Sequence, residues 1–545
     1  MKVNVIMSTG LWITVLIALF NAIAHAESVD GKQTNREDSV PPLTSVLVET
    51  IELDTTVGKI KGRTDGEIAT FQGIPYAEAP VGDNRWRPAI ALQSFDTTLD
   101  ATKFGSACMQ RRRTGYFADP RPVSEDCLTL NIWSTNHIKK AKPVIVWIHG
   151  GAFVIGSSKF PFYDGEAFAR SGIVFVSINY RLGRFGYFAH PALRDETKVT
   201  NFAYTDQVAA LKWVKDNIAS FGGDPTNVTI AGESAGGVSV THLLSMPDAQ
   251  GLFHKAIVQS GSGHRIEPSA WKRRGFRPPY DEKGMEWTES IKLKGSDADL
   301  AKMRELPSDS VLGDKALIRG IGPSIDGLTL TQDVAKSFEL GNQAAVPLLI
   351  GATSFEGSLA TKLGTKPEQI LKLLGRRVEE LRAKYAEIGL ELDDVELAYQ
   401  AYGDATFVSP ARYLARLMVR KGVPVWLYHF DVVPEARREN SRGAPHGGEI
   451  PYVFKTASRL SRMSAAIGPS DARIADLMHK AWVAFAKKSD PNHSSLSIWK
   501  PVTLDSTPTL VVTSDGAKID HEFEKPVHDF FDDRFGKLRR LFPMR

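Results

Sequence analysis

Residues 227–244 read NVTIAGESAGGVSVTHLL. The first five, NVTIA, are strand-like, and the last eight, GVSVTHLL, are helix-like. Between them stands GESAG, residues 232–236, with Ser234 framed by two glycines. A plain turn explains the glycines. A nucleophile explains the serine as well. In an α/β sheet, a strand–Gly-x-Ser-x-Gly–helix turn lifts the serine on a sharp, strained bend, and small flanking residues let neighbouring elements pass close by. The serine then stands at the start of a helix, whose amides and dipole favour developing negative charge. G-x-S-x-G alone recurs by chance, but the strand before it and the helix after it favour a nucleophile at Ser234.

Outward from this turn the same alternation continues. PVIVWIHG (143–150), GIVFVSINY (172–180), KAIVQSG (255–261), VPLLIGAT (346–353) and PVWLYHF (424–430) are near-continuous apolar runs. Such runs suit strands buried on both faces of a mostly parallel sheet. TDQVAALKWVKDNIASFGG (205–223) predicts a helix with Val208, Leu211, Val214 and Ile218 on one face and Gly222 at its end. Strands alternating with helices give an α/β fold. The stretch from Val46 to Ala77, rich in β-branched residues and turn signals, predicts short antiparallel strands at the N-terminal side. Residues 268–326 and 366–421 read as mostly helical insertions that cap the sheet. No repeat or linker divides the chain, so residues 45–545 are expected to form one domain.

The chain has 545 residues, with 42% hydrophobic and 24% charged side chains, an ordinary composition for a soluble globular protein. A formal charge of +4 is too small to suggest nucleic acid as a partner. Lys2, the apolar run at 11–20 and the small-residue end Ala24-His25-Ala26 read as a secretory signal peptide over 1–26. The run is too short to span a bilayer comfortably. Residues 27–44 follow as a polar, flexible leader. Export to the periplasm or beyond is the expectation, with no membrane span once the signal is removed. Only Cys108 and Cys127 are present. An oxidising compartment permits a disulfide between them, the alternative being two buried thiols. Two cysteines without clustered histidines make a zinc site unexpected, and HEFEKPVH (521–528) lacks the second histidine of HExxH.

A serine hydroxyl needs a base, and the base needs an orienting acid. In α/β-hydrolases the chain order is Ser, then Asp or Glu, then His. Downstream acids are many, and spacing does not choose among them. Glu356 stands just past a predicted buried strand, where active-site residues gather. The later histidines are His429, His446, His479, His493, His521 and His528. His446 lies in a Gly/Pro loop, His429 in a strand-like run and His479 in a helical pattern. An attacked carbonyl also needs fixed N–H donors. HGGAF (149–153) ends a predicted strand and can present the amides of Gly151 and Ala152, with that of Ala235 as a third.

With these residues in view the chain resembles the type-B carboxylesterases, the family that includes the cholinesterases. The matching stretches include FQGIPYAEAPVGDNRWRP (71–88), SEDCLTLNIW (124–133), VIVWIHGGAF (144–153), SINYRLGRFGY (177–187), FGGDPTNVTIAGESAGG (221–237), IGATSFEG (350–357) and HGGEIPYVF (446–454). The resemblance implies an α/β-hydrolase fold and carboxylic ester hydrolysis without metal or cofactor. It implies Ser234 as nucleophile, Glu356 as acid and His446 as base. It also implies oxyanion donors at Gly151, Ala152 and Ala235, and a Cys108–Cys127 disulfide. HGGA replaces the commoner three-glycine run, which keeps the amide and adds a methyl. The rival class is a non-catalytic binding protein of the same fold, which would dispense with the serine or histidine. Lactone and thioester cleavage would use the same machinery.

As the base, His446 is expected to titrate at about 6–7, like an ordinary imidazole. The small-molecule ester itself is not named by the sequence. The segment between the cysteines carries Arg111, Arg112 and Arg113, then Tyr116 and Phe117. In the cholinesterase branch this segment brings a tryptophan to the gorge to hold a quaternary ammonium. Here there is no tryptophan, and three arginines would repel a cation and pair with a carboxylate. These five residues, with Glu233 beside the nucleophile, are the candidate substrate contacts. Neutral or anionic acyl esters are expected over choline esters.

Overall fold

The computed structural model describes residues 49–541 except 112–121, 137–140, 262, 264–265, 276, 294–298, 314–320 and 460–466. The expected signal peptide and leader, and Arg112, Arg113, Tyr116 and Phe117, lie outside the described residues.

The predicted antiparallel start is present as β1 (Glu49–Thr55), β2 (Gly58–Thr64) and β3 (Ile68–Pro75). A short β4 (Leu99–Asp100) pairs with β2, and β5 (Ala107–Cys108) and β6 (Val123–Ser124) form a separate pair around the cysteines. The other strands are β7 (Thr129–Thr135), β8 (Lys142–Ile148), β9 (Val174–Ile178), β10 (Gly223–Glu233), β11 (Lys255–Gln259), β12 (Leu348–Thr353), β13 (Val425–Asp431), β14 (Thr509–Thr513) and β15 (Gly516–Asp520). Among the described residues thirteen strands make one sheet, in the order β1-β2-β3-β7-β9-β8-β10-β11-β12-β13-β14-β15 with β4 to the side. From β9 to β14 every neighbouring pair is parallel, and the sheet is antiparallel at both ends.

Every apolar run quoted above falls on one of these parallel strands. The alternation along β8 shows why the runs are continuous. Val144, Val146 and Ile148 join the core on one face of the sheet, while Ile145 and Trp147 join that on the other. The first face packs against α1 (Phe202–Asn217), α2 (Ala235–Ser245) and α4 (Ser409–Val419), while α3 (Asp281–Ser290) belongs to the first insertion. The second packs against α5 (Pro469–Lys488) through Trp482 and Phe485.

Helix α1 departs from its expected amphipathic pattern. Val208, Leu211, Val214 and Ile218 are buried as predicted, but so are Phe202, Tyr204, Asp206, Gln207, Trp213 and Asn217. The helix is enclosed on most sides, and Asp206 is tolerated there because Arg181 holds it. The Arg181 Nη2 lies 2.7 Å from Asp206 Oδ1, with both side chains buried. A buried charge is stable only when paired and hydrogen-bonded in this way. Gly222, at φ 80°, ends the helical segment in the left-handed region as its position predicts.

Both predicted insertions are helical. In the first, Trp287 of α3, Met303 and Val311 share a cluster with Trp86, Phe185 and Phe188. In the second, Leu381, Tyr385 and Leu397 pack against Val527, Phe530 and Phe531 of α6 (Lys525–Leu541). Cys108 and Cys127 form a disulfide. It closes a separation of 19 residues, which in the chain-entropy picture stabilises by about 3 kcal/mol.

Candidate active site

The site begins where β10 meets α2. Ser234 has φ 55° and ψ −122°, a conformation costing on the order of 1–3 kcal/mol for a residue with a Cβ. Packing holds it there. The Ser234 N–H donates to the Gln259 carbonyl at 2.9 Å, and its own carbonyl accepts from Val238 at 2.8 Å. A Cβ on Gly236 would lie 2.0 Å from the Ile148 carbonyl oxygen, so only glycine lets α2 start this close to β8. The turn thus has the form expected of GESAG.

Glu356 and His446 reach the serine from the ends of β12 and β13, on loops that are stitched together. Phe355 and Pro445 form a parallel β-bridge. The Phe355 N–H donates to the Ala444 carbonyl (2.9 Å), the Ala444 N–H to Ser354 Oγ (2.8 Å) and the His446 N–H to Ser358 Oγ (2.9 Å). His446 Nε2 then lies 2.8 Å from Ser234 Oγ, and its Nδ1 is bonded to Glu356 Oε2. Phe407, in the π-helical segment Asp404–Val408, packs on the imidazole with ring centroids 4.8 Å apart.

The other histidines are placed elsewhere. His429 is buried in β13, and His479 bonds the Val453 carbonyl. His528 is buried and meets Ser409 Oγ at 2.8 Å.

Glu356 is buried and well supplied with donors. Ser260 Oγ donates to its Oε1 at 2.5 Å and the Thr353 N–H at 2.9 Å. Burial raises its pKa, but the facing His446 and these hydrogen bonds outweigh burial and hold it below the ordinary value. Ser260 was not singled out in the sequence. Its only local mark is its place directly after β11, as Glu356 follows β12.

Glu233 is buried rather than open to a ligand at its carboxylate. Its side chain is 6% exposed, and its Oε1 lies 3.3 Å from His446 Nε2. A Cβ on Gly150 would come within 2.8 Å of its Oε2. Burial pushes Glu233 up to about 7, against the pull of His446. Burial also lowers His446, but Glu356 and Glu233 together outweigh it and push the imidazole up to about 9. That is above the 6–7 expected from the sequence, because two carboxylates flank the ring instead of one. A third buried acid, Glu449, is pushed up to about 8 by burial and by Glu233, and accepts from Gln259 Nε2 at 2.9 Å.

The HGGA turn follows β8. Gly151, Ala152 and Phe153 have φ of 114°, 53° and 65°. Three successive positive φ values make a tight turn directly after β8. Among the described residues the amides of Gly151, Ala152 and Ala235 donate no backbone hydrogen bond within the chain. N–H groups left without a backbone acceptor can bind developing negative charge on an oxygen.

Arg111 is described and half-buried at the start of the basic run. Among the described residues no group of three or more His, Cys, Asp or Glu is placed to hold a metal ion. No helix among them is long and apolar enough to cross a membrane.

The sequence model of the carboxylesterase family matches residues 49–531. A para-nitrobenzyl esterase of Bacillus subtilis (strain 168) is 36% identical over 486 residues, covering 85% of this chain and 94% of that protein. A fumonisin B1 esterase of Sphingopyxis macrogoltabida is 34% identical over 470 residues, covering 82% and 83%. A solved PNB esterase structure superposes with a TM-score of 0.73 at 31% identity, covering 88% of this chain and 99% of that one. This chain belongs to the carboxylesterase family. It has the α/β-hydrolase fold and is a carboxylic ester hydrolase.

Proposed function

We propose that this enzyme cleaves small-molecule carboxylic esters through an acyl-enzyme on Ser234. The observation that carries the reading is the continuous chain Ser234 Oγ, His446, Glu356, with 2.8 Å between the hydroxyl and Nε2. His446 takes the Ser234 proton as the oxygen attacks the ester carbonyl. The C–O π pair moves onto the carbonyl oxygen, which the amides of Gly151, Ala152 and Ala235 stabilise. Collapse expels the alkoxide, and the imidazolium protonates it. Water then repeats the cycle against the acyl-enzyme and releases the acid. Glu356 fixes the tautomer with Nδ1–H and stabilises the imidazolium.

Only neutral His446 is a base. With Glu233 at about 7 and His446 at about 9, the two titrate as a pair that holds one proton midway between those values, at about pH 8. The competent form has that proton on Glu233.

The enzyme is read as exported after cleavage near Ala26, with residues 45–545 as one catalytic domain. Arg111 to Arg113, with Tyr116 and Phe117, remain candidate substrate contacts on their residue types, with a bias toward neutral or anionic acyl esters. The named substrates of the two bacterial relatives are different esters, so the framework accepts varied acyl and alcohol groups.

The test is Ser234→Ala. Folded protein with hydrolysis reduced by several orders of magnitude is expected, with loss of labelling by a fluorophosphonate probe. Retention of more than a few per cent of activity would overturn the mechanism.

A further inference from the structure

We infer that Gln110 is a positioning residue for the oxyanion amides, joining the disulfide to the peptide that carries the Gly151 N–H. The inference rests on the mechanism proposed above. Gln110 lies two residues after Cys108 and is 4% exposed. Its Nε2 donates to the Gly156 carbonyl at 2.8 Å and to the Cys108 carbonyl at 3.0 Å. The Gly156 N–H donates back to its Oε1 at 3.0 Å. One side-chain amide thus satisfies both backbone groups of Gly156, as a neighbouring strand would.

Gly156 is placed to matter. Its φ is 123°, and a Cβ there would lie 2.5 Å from the Gly150 carbonyl oxygen and 2.4 Å from His149 Nδ1. Its backbone therefore packs too closely against the Gly150 carbonyl to admit a side chain. That same oxygen accepts from His149 Nδ1 at 2.8 Å. The Gly150 C=O and the Gly151 N–H belong to one planar peptide, so fixing the oxygen fixes the direction of the N–H.

The surroundings leave this contact as the adjustable one. His149 is held by Tyr180, whose hydroxyl donates to its carbonyl at 2.8 Å and whose ring stacks on it. Between 151 and 155 the turn is closed on itself, with Val154 and Ile155 both donating to the Gly151 carbonyl. Past Gly156, the Ser158 N–H is held by Asn179 Oδ1 at 2.9 Å. Without Gln110, the buried Gly156 N–H and C=O lose their partners, and Gly156 is no longer fixed against the Gly150–Gly151 peptide, which keeps only the His149 Nδ1 contact. The bridge to Cys127 seats Cys108, and through it Gln110.

The test compares transition-state and ground-state binding in the full-length enzyme. Gln110→Ala is expected to lower kcat for a neutral aryl ester about 10- to 100-fold, less than the roughly 100- to 1000-fold cost of losing a donor outright, because the amides are displaced and not removed. KM is expected to stay within about twofold, since ground-state binding does not use these amides. A trifluoromethyl ketone, which forms a tetrahedral adduct on Ser234, is expected to bind more weakly by the same factor as kcat/KM falls. A ground-state analogue without an electrophilic carbonyl is expected to bind as in the parent. Gln110→Glu keeps the size and the acceptor but has a donor only while protonated, so its deficit relative to the parent is expected to widen as pH rises. It carries the test if Gln110→Ala does not fold. Equal ketone affinity in the parent and folded Gln110→Ala, or a pH-independent Gln110→Glu, would overturn the inference. A parent that the ketone does not inhibit, or an active Ser234→Ala, would instead overturn the mechanism beneath it.

Discussion

Glu233 Oε1 lies 3.3 Å from Nε2 of His446, the same nitrogen that faces Ser234 Oγ at 2.8 Å. The imidazole is therefore gripped by carboxylates at both nitrogens, which raises it to about 9. Glu233→Gln mimics the protonated acid and removes one of the two pulls. The sign follows: His446 loses its proton at lower pH, and the acidic limb of kcat/KM moves down, by about one unit or more. A pH–rate profile in a single buffer series measures it. An unmoved limb in the variant would show that the Glu233 charge is not felt at the ring.

Ser260 Oγ donates to Glu356 Oε1 at 2.5 Å. A hydrogen bond to a buried carboxylate contributes roughly 1.5–3 kcal/mol. Ser260→Ala leaves that oxygen short of a donor and weakens the hold of Glu356 on the imidazole. We expect kcat to fall about tenfold, since a loss of 1.4 kcal/mol is one decade. KM should change little. Ser260→Thr, which keeps the hydroxyl, should recover part of the loss. A variant Ser260→Ala with the parent's kcat would remove Ser260 from the positioning of the acid.

Glu449 tests stability rather than rate. Its folded pKa is raised from the usual value to about 8. A group raised in this way binds its proton more tightly in the folded state. Its contribution is full below the unfolded value of about 4.5 and is lost as pH rises through 8. Among the described residues Glu449 Oε2 has no hydrogen-bond partner, so once the charge forms it is held chiefly by the Gln259 amide on Oε1. Glu449→Gln keeps the shape and cannot ionise. The variant and the parent should therefore melt alike near pH 5, and the variant should melt higher at pH 8 to 9. A Tm difference constant across that range would contradict the assignment.

Much of this site was legible because it is local in sequence. GESAG with its strand and helix pointed to Ser234 and the Ala235 amide as candidates, and HGGA after β8 pointed to the amides of Gly151 and Ala152. Glu356 and His446 were open among several acids and histidines until the resemblance chose them, since no spacing rule links residues that meet over 90 positions. Ser260, Gln110 and Glu449 carried no local pattern. Their contacts span 96, 46 and 190 positions, and a lone Ser, Gln or Glu after a strand or in a loop is usually only solvated. The one-sided reading of α1 was too narrow for a related reason. Periodicity reports apolar faces, and Asp206 and Gln207 are buried by partners that periodicity does not see.

The basic run after Gln110 gives the last prediction. Arg111 is half-buried and directly follows Gln110, which bonds the Gly156 carbonyl. Arg112 and Arg113 extend the charge. A carboxylate on the acyl part of an ester would gain from this field, while a quaternary ammonium would be repelled. Each solvated pair is worth about 0–1 kcal/mol, and exposed charges are screened beyond about 8 Å at physiological salt. The preference should therefore be modest and dependent on salt. We expect the parent to favour an anionic over a matched neutral ester about tenfold in kcat/KM at low ionic strength, with choline esters poorer than both. Changing Arg111, Arg112 and Arg113 together to Gln should reduce that ratio to near unity, leaving the neutral ester within about threefold of the parent. Added salt should shrink the parent's preference and leave the variant's unchanged. A parent without anionic preference, or a variant that keeps it at low salt, would show that the arginines are a solvated face with no part in substrate choice.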